Sequence, residues 1–308
     1  MAESLMSPSS ESLRIVIFTN IPGGVVYATV NSVLRPLGHR VVAVVTTPGP
    51  AKRRSTSYLD VVAAVPPSVD VIVTNHPERL AAMLAPLEPD LIISGGFPWL
   101  IPDSVIALPR LGAINMHPAP LPKYRGPCAI EWMFRNGDPV MGFTVHRLAG
   151  EFDTGPILAQ GQVAIDDDDD MGNLIDKMDD VIRPLLVQAI ERVMRGDPGD
   201  PQDETRASYA GMFDPTWRAI DWSRTAREIH NQVRSWTGVR DIPRGAIGEV
   251  DGKWLTVQRT RLPLAVKGVA GAGPAGTVLV HEPGRILIQC GDGPLELIDW
   301  LPANATSV

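Results

Sequence analysis

Cysteine is scarce in this sequence: its 308 residues contain two, Cys128 and Cys290. Thiols this few and this far apart build neither a disulfide framework nor the paired spacing of a zinc site, and they fit a reducing, cytoplasmic setting. Long hydrophobic runs are missing too. No uninterrupted apolar stretch approaches the roughly 18 residues that span a bilayer, so no membrane partner is expected. The first twelve residues, MAESLMSPSSES, are serine-rich and lack the basic and apolar regions of a secretion signal. They read as a disordered tail. A cationic surplus is also absent. The net charge of −7 gives no general reason to bind nucleic acid or an anionic membrane, although a local basic patch remains compatible with it. Neither G-x-S-x-G nor G-x-x-x-x-G-K occurs, which removes the serine-hydrolase elbow and the phosphate loop.

Glycine and proline are abundant instead, 28 and 29 residues, and they are spread along the chain rather than clustered. That distribution predicts many structured loops, not one flexible linker. Between them lie short, continuous apolar runs: residues 13–20 (LRIVIFTN), 39–47, 69–75 and 90–96. Such runs read as buried parallel strands. Helical spacing over 25–38 and 76–89 alternates with them, which predicts a doubly wound α/β sheet of Rossmann-like type. Residues 111–117 (LGAINMH) and 142–148 (GFTVHRL) add a fifth and a sixth strand. The aspartate run 166–170 precedes an amphipathic pattern that stops at Gly196. Acidic residues suit a helix N-terminus, and the run lacks the glycine and distal glutamate of a calcium loop. From about 197 the character changes. A polar, proline-rich connector leads to one helical segment (223–236) and several short strands, which suggests a small C-terminal β-barrel. The expected division is a tail over 1–12, a catalytic domain over 13–204 and a barrel domain over 205–308. GAGPAG (271–276) matches a dinucleotide fingerprint literally, but it follows no strand and opens no helix, so it reads as a surface loop. Asn304-Ala305-Thr306 matches a glycosylation acceptor without a secretion signal to make use of it.

Chemistry concentrates in AINMHPAPLPKYRGP, residues 113–127. Side chains at i and i+2 of a strand share a face, so Asn115 and His117 converge. They do so at the carboxyl end of a strand, where α/β sheets bind ligands. Asp153, in the loop after the next strand, can return to the same edge. An Asn amide can donate to a developing oxyanion, a His can move a proton, and an Asp can fix the His tautomer. Together they suit acyl transfer in which the acceptor itself attacks. The plainer alternative is that Asn115 caps a turn and His117 packs. A metal site at His117, Asp153 and His146 is not expected, because His146 should alternate to the other face of its strand.

INMHPAPLPKYRGP together with GFTVHRLAGEFDTGPIL resembles the formyltransferases that use 10-formyltetrahydrofolate. The family pattern is Asn-x-His, a stiff Leu/Pro segment, Tyr-Arg-Gly and a later Asp-Thr-Gly. On that match Asn115, His117 and Asp153 correspond to the catalytic triad. GGFPWLIPDSVIALPRLGAIN resembles the loop and helix whose backbone meets the pterin. YAGMFDPTWRAIDWSRTAREIHNQVRSW resembles the start of the C-terminal barrel in methionyl-tRNA formyltransferases and related sugar-nucleotide enzymes, a barrel of OB-like type. The resemblance runs from residue 13 nearly to the end. It implies 10-formyltetrahydrofolate as co-substrate and no metal. It also implies folate contacts from Trp99, Leu100 and Ile101, from Ala119, Pro120, Leu121 and Pro122, and from Ala149, Gly150, Glu151 and Phe152.

The sequence departs from the family at two positions beside the triad. Ala119-Pro120-Leu121-Pro122 stands where Ser-Leu-Leu-Pro is common, and Phe152 stands where the tRNA enzymes carry an aliphatic residue. Both departures tilt the expected acceptor toward a small molecule carrying a primary amine or hydroxylamine. The alternative acceptor is methionyl-tRNA, reached through the 46–57 loop with its Lys52-Arg53-Arg54 cluster and through the C-terminal domain. The cations there are sparse for a phosphate backbone. Two further readings are a hydrolase that releases formate from the folate and a non-catalytic binding module; the intact Asn, His and Asp speak against the second.

Overall fold

The computed structural model describes residues 12–50, 55–237, 245–263 and 273–303. The Lys52-Arg53-Arg54 cluster, the N-terminal tail before Ser12, the first two residues of GAGPAG and the Asn304 motif lie outside these residues. Among the described residues, no helix is long and apolar enough to cross a membrane.

The first half of the chain alternates strand and helix: β1 (Arg14–Thr19), α1 (Val25–Leu34), β2 (Arg40–Thr46), α2 (Ser57–Ala64), β3 (Asp70–Val73), α3 (Leu80–Leu84), β4 (Leu91–Gly95), α4 (Asp103–Ile106) and β5 (Ala113–His117). Then come α5 (Ala129–Asn136), β6 (Val140–Arg147), β7 (Ile157–Ala164) and the long α6 (Met171–Met194). The seven strands form one sheet in the order β3-β2-β1-β4-β5-β6-β7. β1 to β5 pair in parallel, and β6 runs antiparallel to β5. The apolar runs are what places them here. Ile15 to Phe18 and Leu91 to Ile93 are fully buried, as strands covered on both faces must be. Strand order reverses direction at β1, with β2 on one side and β4 on the other, so the α/β expectation holds.

The remaining elements are α7 (Ala226–Ser235), β8 (Ala246–Val250), β9 (Lys253–Arg261), β10 (Val278–Glu282), β11 (Arg285–Gln289) and β12 (Pro294–Pro302). These strands make a five-stranded antiparallel sheet in the order β10-β11-β12-β9-β8. α7 begins with a capping box in which Thr225 and Glu228 satisfy each other's backbone N–H groups. It buries Ala226, Ile229 and Val233 in a core shared with Trp236, Val257, Ile288 and Leu297.

The chain forms two compact units. One comprises Met1–His117, Phe143–Gly161 and Val181–Arg206; the other comprises Pro118–Gly142, Gln162–Asp180 and Ala207–Val308. Within the second unit the proline-rich segment is pinned to a distant stretch of chain. Arg125 and Tyr209 form a parallel bridge, Arg125 N donates to Ser208 O at 2.9 Å, and Ser208 N donates to Pro122 O at 3.2 Å. Gly142 has to be glycine there, because a Cβ would fall 2.5 Å from the Pro120 backbone nitrogen. The aspartate run is likewise absorbed within this unit. Lys177 pairs with Asp166 at 2.7 Å and with Asp169 at 2.6 Å, and Arg227 takes Asp167. Asp170 caps the start of α6 by accepting from Gly172 N at 2.9 Å.

Candidate active site

β5 delivers Asn115 and His117 to one edge of the parallel sheet. Burial selects that face: Ile114 is buried on the opposite one, Asn115 is half-buried, and His117 is 5% exposed. Asp153 comes from the loop after β6 and is 8% exposed, with φ at +58°. A left-handed backbone is costly for most residues and tolerable for Asp. It is stored strain at a buried acid, the pattern expected where geometry is imposed by surrounding structure.

The surroundings that impose it are visible. Gln202 Nε2 donates to the carbonyl oxygens of both Asp153 and Gly155, each at 2.8 Å. Gly155 sits against β6 so closely that a Cβ would lie 1.8 Å from the Arg147 carbonyl oxygen. Arg192 holds the neighbouring 197–200 segment through Asp197 at 2.7 Å and Asp200 at 2.8 Å. The stretch that reads as a polar connector is therefore a brace for the Asp153 loop. No pattern in the sequence marks Gln202 for this role.

Asn115, His117 and Asp153 lie together, and His146 joins them. Asn115 Nδ2 donates to Asp153 Oδ1 at 3.3 Å and lies 3.2 Å from His146 Nε2. His117 Nδ1 and His146 Nε2 lie 3.6 Å and 3.5 Å from the same carboxylate oxygen. The expectation that His146 points away is wrong, and the reason is register. In the antiparallel pairing of β5 with β6, Asn115 stands directly opposite His146 and His117 opposite Thr144. Cross-strand partners share a face, so His146 and Thr144 belong to the site's side of the sheet. Alternation along one strand predicts which of its residues share a face, but not which face that is.

The proton positions follow from the partners. His146 Nδ1 lies 2.8 Å from the Arg147 carbonyl oxygen, which can only accept, so Nδ1 carries the proton. In the neutral ring Nε2 is then an acceptor and receives the second Asn115 amide hydrogen. Both hydrogens of Asn115 are thus directed, one at His146 and one at Asp153. Side chains so arranged can present an N–H to a developing negative charge and pass a proton between an imidazole and a carboxylate. The distances of 3.3 to 3.6 Å are long for hydrogen bonds. Among the described residues no group of three or more His, Cys, Asp or Glu is disposed to hold a metal.

The residues matched to folate contacts divide by exposure. Leu100 and Phe152 are apolar and 44% and 48% exposed. Gly150 and Glu151 are also exposed, and Ala149 is half-buried. Trp99 is half-buried, and its Nε1 is inaccessible with no partner among the described residues. Ile101 turns into the core with Val16, Phe18 and Ile92. In the second unit Ala119, Leu121 and Pro122 are buried and Pro120 is half-buried.

The family profile "Formyl transferase" matches residues 13–190, and "Formyl transferase, C-terminal domain" matches residues 214–306. A curated relative, the methionyl-tRNA formyltransferase of Pelobacter propionicus, is 32% identical over 274 residues, covering 84% of this chain and 80% of that protein. HypX from Aquifex aeolicus, solved with tetrahydrofolic acid, shares the fold with a TM-score of 0.68 at 19% identity, over 96% of this chain and 45% of that one. An N-formyltransferase from Helicobacter canadensis, solved with folinic acid and dTDP-3-aminofucose, gives a TM-score of 0.65 at 17% identity, over 94% of this chain and all of that one.

Proposed function

Since the chain belongs to the formyl transferase family, we propose that it transfers a formyl group from 10-formyltetrahydrofolate to a primary amine, and that the amine is that of methionyl-tRNA. The observation that carries the acceptor is the 32% identical relative, which is named for that reaction. It outweighs the tilt toward a small acceptor that Ala119 and Phe152 give the sequence.

The folate, when bound, supplies a formyl carbon activated by its attachment to nitrogen. The orphaned Trp99 Nε1 fits a ligand with acceptor atoms beside it, since a buried donor without a partner costs about 1–3 kcal/mol. Leu100 and Phe152 offer apolar surface to its ring system. Attack by the neutral amine makes the formyl oxygen negative. Asn115 meets that charge by releasing Asp153, its longer bond at 3.3 Å, and turning that N–H to the oxyanion. His117 adds a second donor. Asp153, beside His117 Nδ1 at 3.6 Å, stabilises the imidazolium formed when His117 takes up the amine's proton; that proton then passes to the departing folate nitrogen as the carbon–nitrogen bond to the folate breaks and the carbonyl re-forms on the new amide. His146 keeps the Asn115 amide in the donating orientation.

The test is formylation of purified methionyl-tRNA by the full chain with 10-formyltetrahydrofolate, scanned over salt. Product formation with a steep negative salt dependence of binding supports the reading. Formylation of amino sugars or amino acids without any of the tRNA refutes the acceptor but keeps the reaction. The small-acceptor reading retains one structural support: Phe152, 48% exposed next to Asp153, makes an apolar wall suited to a compact substrate. Fast formate release with no amine present would instead mark a hydrolase.

A further inference from the structure

The second unit contains a cavity of about 670 Å³ between the end of α5 and the first turns of α7. Four arginines line it, Arg135, Arg224, Arg227 and Arg234, against three carboxylates, Asp138, Asp167 and Glu228. Each carboxylate is already engaged. Asp138 accepts from Tyr124 Oη at 2.8 Å, and Asp167 accepts from two guanidinium nitrogens of Arg227, one at 2.9 Å. Glu228 accepts from Arg224 at 2.8 Å and from Thr225 N at 3.0 Å. The N-terminus of α7 is spoken for as well, since Ala226 N donates to Asp292 at 2.7 Å. Arg234, 7% exposed, gives its two terminal nitrogens to Asp166 O and Asn231 Oδ1, at 2.9 and 2.7 Å, and leaves Nε without a partner.

Arg135 is different. It has no ion pair among the described residues, and its Nη1 is inaccessible and without a hydrogen-bond partner. Its guanidinium carbon lies 5.0 Å from the centre of the Trp217 ring and 5.8 Å from that of Phe213. Stacking on aromatic faces fixes the plane of the guanidinium and leaves its N–H edge as the only way to engage a ligand. Burial and the proximity of Arg224 both push its pKa down, so the protein tolerates an unneutralised cation here at a cost. An arginine stacked on two rings, without an ion pair among the described residues and lining a cavity of small-molecule size with one cation in excess, is matched to an anion with several oxygens.

We propose that this cavity is a phosphate-binding site, with Arg135 as its principal ligand and Arg224 as a second cation. The site goes beyond the formyl-transfer reading and does not depend on which acceptor is used. The phosphate has two sources to distinguish, a small phosphate ester or diphosphate and the backbone of an RNA.

The experiment is calorimetric titration of the full chain with inorganic pyrophosphate at low salt, and a parallel titration with bulk tRNA at several salt concentrations. Arg135→Met keeps the stacked volume and removes the charge. It is expected to weaken pyrophosphate binding by about tenfold or more, the scale of a charged hydrogen bond, with Tm unchanged or raised. Arg135→Lys should recover only part of the affinity, because an ammonium lacks the fork. Arg224→Ala, on an exposed pair, provides the same test if Arg135→Met does not fold. Should Arg135→Met also reduce the salt slope for tRNA by about one, the source is RNA. A loss confined to pyrophosphate identifies a small phosphate ester. Wild-type and Arg135→Met proteins that behave alike toward both probes overturn the proposal.

Discussion

Replacing Gly155 with alanine tests whether the Asp153 loop is positioned by close backbone contact. The added Cβ would lie 1.8 Å from the Arg147 carbonyl oxygen and 2.8 Å from its carbonyl carbon. Real Cβ atoms essentially never approach below 3.0 Å, so loop and strand have to part by about 1.2 Å, from 1.8 to at least 3.0 Å. The clash is with backbone, so no rotamer relieves it, and the Arg147 N to Pro156 O bond at 2.9 Å ties the same two segments together. Overpacking of this kind costs about 1–3 kcal/mol, which lowers Tm by several degrees in a domain of this size. The effect on rate should be larger. A displacement of roughly 1 Å at a catalytic group costs on the order of a hundredfold, and Asp153 is two residues away. We expect kcat for formyl transfer to fall about a hundredfold in a protein whose circular dichroism is unchanged. Gln202→Ala, which only removes the two bonds to the loop's carbonyl oxygens, should lose less. A Gly155→Ala variant with wild-type kcat and Tm would refute the reasoning.

Asn115→Ala should lose about 10²- to 10³-fold in kcat with the fold intact, the usual effect of removing one oxyanion donor; single-turnover formylation measures it, and near-normal rates would remove Asn115 from the mechanism. His146→Leu leaves Asn115 without its acceptor. Steady-state kinetics should show a kcat loss of roughly fivefold to tenfold, the worth of one hydrogen bond, with little change in KM. His230, far along the sequence in α7, sets an acid limit on stability. Its ring is 1% exposed, bonded to Thr260 Oγ1 at 2.8 Å and to Asp167 O at 2.9 Å. Burial first, then Arg234, push its pKa from 6.5 down to about 4. The folded state therefore binds fewer protons than the unfolded state across this window. Stability is fully present above about pH 6.5 and falls toward pH 4, by about 3 kcal/mol in all. Urea unfolding at both pH values checks this against His230→Gln, which should show a smaller loss.

Much of the fold was legible because its central strands are buried on both faces and must be apolar throughout. β1, β2, β4 and β5 fall within one or two residues of the expected runs. β7 escaped because it alternates. Leu158 and Ala159 are buried together, exposed and half-buried positions alternate from Gln160 to Ala164, and glutamine and glycine break the apolar run. α2 escaped because SYLDVVAA is only eight residues long and follows a polar loop. The helix expected over 76–89 is divided: α3 covers only Leu80–Leu84, with tighter turns at Pro77–Arg79 and at Ala85–Leu87, where proline removes backbone donors. α6 runs through Pro184 without ending there.

The site divides the same way. Asn115 and His117 were determined by sequence alone, because strand alternation places i and i+2 together whatever the neighbours are. Asp153 needed only a short return from the following strand. Three things were decided by tertiary structure. His146 joins the site through the register of β6 on β5, a relation between strands that no single-strand pattern contains. Gln202 reaches Asp153 across a separation of 49 residues. Arg135 has no ion pair among the described residues, where the carboxylates that line its cavity are engaged by other groups. Local periodicity fixes which face of its own element a side chain takes, while a hydrogen bond between distant residues depends on where the whole chain brings both ends.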